Sequence, residues 1–155
     1  MSSTEASESN NRRLPPIDVA TVMDSTVQKV WDVIVDFKNY GAWNRWVVKL
    51  EGEAVKGGRV RAYDKSGTAL DLEITSIQEP YRICWNDVTW FTRLGLGGWR
   101  CRSIEALPDN RGIKFTNHFE FTGVLGGALD FFTREFLEKG MKLENDSLRE
   151  FVESR

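Results

Sequence analysis

Histidine and cysteine are nearly missing from this 155-residue chain, which has one His, at 118, and two Cys, at 84 and 101. Three such residues cannot build a usual zinc site, and no carboxylate cluster has ligand spacing, so no metal is expected. A strong net charge is also lacking. With 21 Lys and Arg against 23 Asp and Glu the balance is −2, too weak a field to point to nucleic acid or an anionic membrane. No apolar run approaches the roughly 20 residues of a bilayer span, so integral membrane association is not expected. No phosphate loop is present either: "GLGGW" lacks the following Lys-Ser/Thr and opens no helix. No cofactor of any kind is implied. The opening residues, "MSSTEASESNNRR", have no apolar centre and so do not read as a signal peptide. Residues 1–13 read as a disordered tail, followed by a single domain over 14–155. The expected address is then the cytoplasm, with Cys84 and Cys101 as free thiols.

Aromatic residues, by contrast, are plentiful: six Trp and nine Phe. The stretch "VWDVIVDFKNYGAWNRWV" puts Tyr40, Trp43 and Trp46 within seven residues, where a helix gives way to a strand. Upstream, Ile17, Val19 and Thr21 alternate with Asp18, Ala20 and Val22, the pattern of a strand. Ser25 with Gln28 three residues later looks like a capping box, and Val27, Val30, Trp31, Ile34 and Phe37 repeat with helical spacing. A short helical turn follows around 39–43. Six alternating runs come next, at 46–53, 58–64, 69–78, 81–90, 99–107 and 112–122, separated by Gly- or Pro-bearing turns. A long helix over 125–153 closes the chain. Its apolar row (Leu129, Phe132, Phe136, Leu143, Phe151) lies beside Leu137, Met141, Leu148 and Val152, broader than a surface helix needs. Lys139, Lys142 and Arg149 beside Glu138, Glu144 and Glu150 read as its mixed, solvated face. The order β-α-(short α)-six β-long α predicts an α+β fold: a seven-stranded antiparallel sheet wrapped around the last helix. A cone-shaped fold of the nuclear-transport-factor type usually puts its helices first and fits less well.

These residues carry a resemblance. "VWDVIVDFKNYGAWNRWVVKLEGE" is similar to the first helix and second strand of the polyketide cyclase/dehydrase branch of the START-like (SRPBCC, Bet v 1-like) superfamily. "YRICW", "GIKFTNHFEFTG" and the segment Met141–Leu148 resemble three further family stretches, so the likeness spans roughly 15–153. It implies a helix-grip fold with an internal apolar cavity between sheet and C-terminal helix. The aromatics after the first helix would form part of the cavity mouth, with Asn44 tying that turn together. The chain departs from the family pattern at Arg45, where proline is usual, at Asn117, where His is frequent, and at Phe119, where Glu is common.

Strand alternation gives the candidate lining. Phe115, Asn117, Phe119 and Phe121 share one face of the last strand, which turns His118 outward. In the strand from 81, Ile83, Trp85, Asp87 and Thr89 point inward, with Cys84 outward. Pairing to the next strand would put Cys84 near Cys101 and turn Arg100, Arg102 and Ile104 inward, whereas a bulge in "WRCRSIEAL" would turn Trp99 and Cys101 inward instead. Gly140 inside the long helix leaves room either for a ligand or for a bulky ring. The segment 91–98, "FTRLGLGG", reads as a mobile apolar lid or a plain hairpin loop.

The ligand-binding set is therefore Trp43, Asn44, Trp46, Trp85, Phe115, Asn117, Phe119 and Phe121, completed by Phe132 and Phe136 of the long helix. The expected partner is a small hydrophobic, ring-containing molecule, held by a carrier or sensor. In the alternative, a cyclase or dehydratase acting on a polyketide-like or other carbonyl substrate, Arg100 or Arg102 would stabilise an enolate while Asp87 or a water moved protons. A third class, a chaperone cofactor or other protein-binding module, would need a large exposed apolar patch, and no outward residue set shows one.

Overall fold

Short alternating runs become strands because each can bury one face and solvate the other. In the computed structural model, which describes residues 15–89, 92, 95, 97–123 and 125–155, the first is β1, Ile17–Met23. Helix α1, Val27–Val35, follows and buries Val30, Trp31 and Ile34. Its cap is Thr26, whose side-chain oxygen accepts from the Lys29 backbone N–H at 3.2 Å. The Ser25–Gln28 box does not form. Thr26 has the extended backbone (φ −110°, ψ 156°) of a capping residue, and Gln28 instead bonds Asp32 at 2.7 Å. A 3-10 turn, Phe37–Ala42, leads into the meander.

Six strands follow: β2 Val47–Glu51, β3 Arg59–Asp64, β4 Ala69–Gln78, β5 Arg82–Asp87, β6 Gly97–Ala106 and β7 Ile113–Thr122. The long helix α2, Gly126–Glu153, ends the chain. All seven strands form one antiparallel sheet in the order β1-β7-β6-β5-β4-β3-β2, consecutive hairpins with β1 closing onto β7. The α+β expectation holds: α2 lies against β1 and β7. Its C-terminal end is fastened to α1, because Lys29 Nζ donates to the carbonyls of Val152 (2.7 Å) and Arg155 (2.5 Å). A cation there answers both the unpaired carbonyls and the negative end of the helix dipole.

Two apolar clusters fill the interior. The larger one joins α1 and the central strands through Val30, Trp31, Ile34, Ile74, Ile83 and Phe115. The smaller one groups Ile17, Phe119 and Met141, with Trp46, Phe121 and Leu137 against it. No helix among the described residues is long and apolar enough to cross a membrane.

Four expectations need correction. First, α2 does not bury the phenylalanine row. Phe132 is 81% and Phe136 66% exposed, and Leu143 is exposed too; the side chain of Leu129 lies outside the described residues. The buried stripe runs instead through Met141, Glu144, Asn145, Leu148 and Val152, equally helical in period but rotated from the phenylalanines. Second, Leu125, Phe131, Phe132 and Phe136 are therefore an exposed apolar set, which outward strand positions could not reveal. Third, Cys84 and Cys101 are direct partners across β5 and β6 and form a disulfide. The free-thiol reading rested on compartment alone, whereas the register sets the two side chains face to face. Fourth, Glu144 is not solvated. The tail 1–13 and the lid residues Phe91, Leu94 and Leu96 lie outside the described residues.

Candidate functional site

The register of β6 decides which arginines face inward. Trp85 pairs with Arg100 and Ile83 with Arg102, while Arg100 opposes Phe119 and Arg102 opposes Asn117 on β7. Gly98, Arg100, Arg102 and Ile104 thus share the inner face and are buried. Trp99 takes the outer face, 5.9 Å from the Arg82 guanidinium and 5.6 Å from the ring of His118. His118 is also outside, between Asp18 (2.6 Å) and Glu120 (3.1 Å).

Arg102 heads a closed polar centre. Its guanidinium pairs with Glu144, and both side chains are almost wholly buried. Two further side chains bond Glu144. Asn117 of β7 donates to the same oxygen at 3.0 Å, and Asn44 donates to the second at 3.0 Å. Asn145 accepts from Asn117 at 3.4 Å and donates to the Val19 carbonyl at 2.9 Å. Asn44 also accepts from the backbone N–H groups of Trp46 and Val47, at 2.9 and 3.0 Å, which fixes the turn. Arg45, standing where the family pattern has proline, bonds Ser147 at 2.9 Å and pairs with Glu150 at 3.2 Å. This turn is therefore pinned to α2 by two adjacent side chains.

The electrostatics of this centre balance. Burial pushes the Glu144 carboxyl up, but Arg102 and Arg100 outweigh it and hold it below the usual range. Burial likewise opposes charge on Arg102, and Glu144 and Tyr40 more than offset that, so its pKa rises. Tyr40, 5.5 Å under the Arg102 guanidinium, is pushed up to about 12, chiefly by burial. A buried charge pair is favoured when its remaining polar atoms are also met; here the amides of Asn44 and Asn117 meet the carboxylate, while Arg102 Nε has no hydrogen-bond partner among the described residues.

Arg100 is different. It is 9% exposed, and among the described residues its Nε and Nη2 have no hydrogen-bond partner. What surrounds it is aromatic: Trp46 at 4.7 Å and Trp85 at 5.8 Å. Burial drives its pKa down. Asp87, diagonal to it on β5, makes no ion pair with it among the described residues. The carboxylate leans over Gly98, where a Cβ would lie 2.9 Å from Oδ2 and 2.6 Å from the Phe119 ring. Burial raises Asp87 to about 6, with Arg100 opposing. Trp46 forms a plate between Arg100 and α2. A Cβ on Gly140 would lie 2.2 Å from its ring, so Gly140 serves the approach of that ring.

The remaining predicted residues divide. Phe119 is buried and Phe121 half-buried, in edge contact at 4.9 Å. Phe115 is fully buried core. Trp43 is core as well, 5% exposed and 4.8 Å from Tyr40, so it does not border a mouth; of the two tryptophans, Trp46 is the half-buried one. Phe132 is 81% exposed and so outside this interior, and Phe136, 66% exposed, meets the ring of Trp46, centroids 6.5 Å apart. An interior holding two arginines and a glutamate is not the wholly apolar cavity that was expected. Sequence reasoning missed Glu144, Asn145 and Tyr40. Spacing could have found Glu144, three residues after Met141 and four before Leu148, on their helix face.

Two surface grooves, of about 500 Å3 beside β1 and α2 and about 600 Å3 over β2–β4, are lined by neither Arg100 nor Arg102. The candidate site centres on Arg100, whose buried Nε and Nη2 have no hydrogen-bond partner among the described residues.

Comparison with known proteins places this geometry. The family described as "Polyketide cyclase / dehydrase and lipid transport" matches residues 17–153. A search of curated proteins returns no match. Among solved structures, a Bacillus halodurans protein is 18% identical, covering 91% of this chain and 99% of its own, with a TM-score of 0.68. Truncated norcoclaurine synthase from Thalictrum flavum is 10% identical over 91% of this chain and 94% of its own, with a TM-score of 0.70. The di-domain ARO/CYC StfQ, from the steffimycin biosynthetic pathway, is 13% identical over 90% of this chain and 51% of its own, with a TM-score of 0.67. At such identities these structures share the fold alone. Over nearly its whole length, the chain belongs to the polyketide cyclase/dehydrase and lipid transport family.

Proposed function

We propose that the chain binds a small, ring-containing apolar molecule between the sheet and α2, beside Trp46, Trp85, Phe119 and Phe121. The observation that carries this reading is the half-buried plate of Trp46, held against α2 by Gly140 on one side and facing Arg100 on the other. A compartment walled by rings with few polar groups suits flat apolar ligands. Family membership supports the same class of ligand. Tryptophan fluorescence and mass spectrometry of the purified protein test the reading. The expected result is a co-purified small molecule, or quenching by apolar ring compounds. A protein that carries nothing and responds to none of a broad panel would end it.

A second reading, a cyclase or dehydratase acting on a polyketide-like or other carbonyl substrate, is favoured by Asp87. A carboxyl raised to about 6 by burial, near a buried guanidinium, can exchange a proton close to neutral pH. Turnover of a carbonyl substrate that falls in Asp87→Asn and Arg100→Gln would support it. Turnover unchanged in both would remove these residues from any mechanism.

A further inference from the structure

Within this protein, Arg61 shows what an arginine side edge does when a carboxylate is at hand. Its Nε and Nη2 grip Asp71 Oδ1 and Oδ2 at 2.7 and 3.1 Å, a parallel two-bond fork on the surface. Arg100 carries the same two atoms, Nε and Nη2, and there they have no hydrogen-bond partner among the described residues. We propose that Arg100 receives the carboxylate of a flat, apolar acid edge-on, through Nε and Nη2, with the rings of Trp46 and Trp85 beside it. This rests on the ring-binding compartment proposed above and names the class of ligand that compartment takes: an aromatic or polycyclic carboxylate.

Three physical arguments converge on that class. A guanidinium taken out of water without a counter-charge costs several kcal/mol, so a fold that keeps one has a partner to gain. The groups facing Arg100 attract its charge, Glu144 and Asp87 above all, but among the described residues none bonds Nε or Nη2. Glu144 on α2 is engaged by Arg102, Asn117 and Asn44. Asp87 on β5 leans over Gly98 and is held toward its neutral form by burial. Tyr40 is kept un-ionised, and Arg102 adds a second positive charge. Geometry supplies the third argument. Tryptophan rings lie against Arg100, and a planar carboxylate matches its Nε–Nη2 fork better than a single-point anion.

The test compares 2-naphthoate with the uncharged, nearly isosteric 2-naphthamide, by calorimetry and tryptophan quenching, in the parent protein, Arg100→Gln and Arg100→Lys. The parent is expected to bind the carboxylate at least tenfold more tightly than the amide. In Arg100→Gln the two probes should bind within threefold of each other, at the parent's affinity for the amide. Arg100→Lys, which keeps the charge but loses the fork, should retain only part of the preference, and circular dichroism of both variants reports folding. An amide bound as tightly as the carboxylate by the parent would overturn the anion site while leaving the aromatic compartment standing. A preference that survives in Arg100→Gln would overturn it too. If neither probe binds the parent, the compartment reading fails and the carboxylate site fails with it.

Discussion

Arg102 and Arg100 stand two residues apart on the same face of β6 and share the ring of Trp85, at 4.8 and 5.8 Å, yet Arg102 is paired with Glu144 and Arg100 has no such partner among the described residues. Around Arg102, the turn after α1 and strand β7 each contribute an amide to Glu144 of α2, the glutamate it pairs with. Around Arg100, strand β7 offers Phe119 and the turn after α1 offers the face of Trp46, which packs on Gly140 of α2. The first arrangement is a structural clasp that joins sheet to helix. The second resembles a binding site, where a group is kept at a cost because something else completes it. Buried charge alone thus does not mark a site; buried charge without a partner does.

The largest effect expected from breaking this contrast falls on the clasp. Glu144→Gln leaves Arg102 buried without its counter-ion and should cost ~3–5 kcal/mol in a denaturant melt. Next comes the disulfide between Cys84 and Cys101, which closes a sequence separation of 17. Its reduction should cost about 3 kcal/mol by the loop-entropy relation, read as a shift in the melt with and without reductant. Gly140→Ala should cost ~1–3 kcal/mol, since its Cβ must displace the Trp46 ring. The same change should alter tryptophan emission, because the plate against Arg100 moves.

A smaller effect follows pH. The folded carboxyl of Asp87 is raised from its ordinary 3.8 to about 6 by burial, against the pull of Arg100. A raised folded value means that the native state holds the proton more tightly. The contribution is therefore complete below about pH 4 and is lost as pH rises through about 6. Asp87→Asn should flatten that decline by roughly 1–2 kcal/mol. An unaltered pH profile in Asp87→Asn would mean that the carboxylate is better solvated than its position implies.

Much of the fold was legible because strand period and helix period are strong signals. The alternation in 112–122 located β7 and its inner face, and turn glycines located the hairpins. The long helix was found, but not its orientation. Its phenylalanines outweighed Glu144 and Asn145 in any hydrophobic reading, although these two share the face of Met141, Leu148 and Val152. Nothing local to Glu144 shows that an arginine 42 residues earlier will meet it; that pairing is a product of the sheet register. The same holds for Trp43 and Trp46. Three residues apart, they look alike in sequence, and only the turn held by Asn44 sends one into the core and the other against α2.

The most direct test of the contrast is a paired denaturant melt of Arg100→Met and Arg102→Met without added ligand. Arg102→Met should lose ~3–5 kcal/mol, because Glu144 stays buried with its charge uncompensated. Arg100→Met removes an unpartnered buried charge and should be as stable as the parent or more stable, by about 1 kcal/mol. Comparable losses in both variants would contradict the account, because Arg100 would then be a second structural clasp.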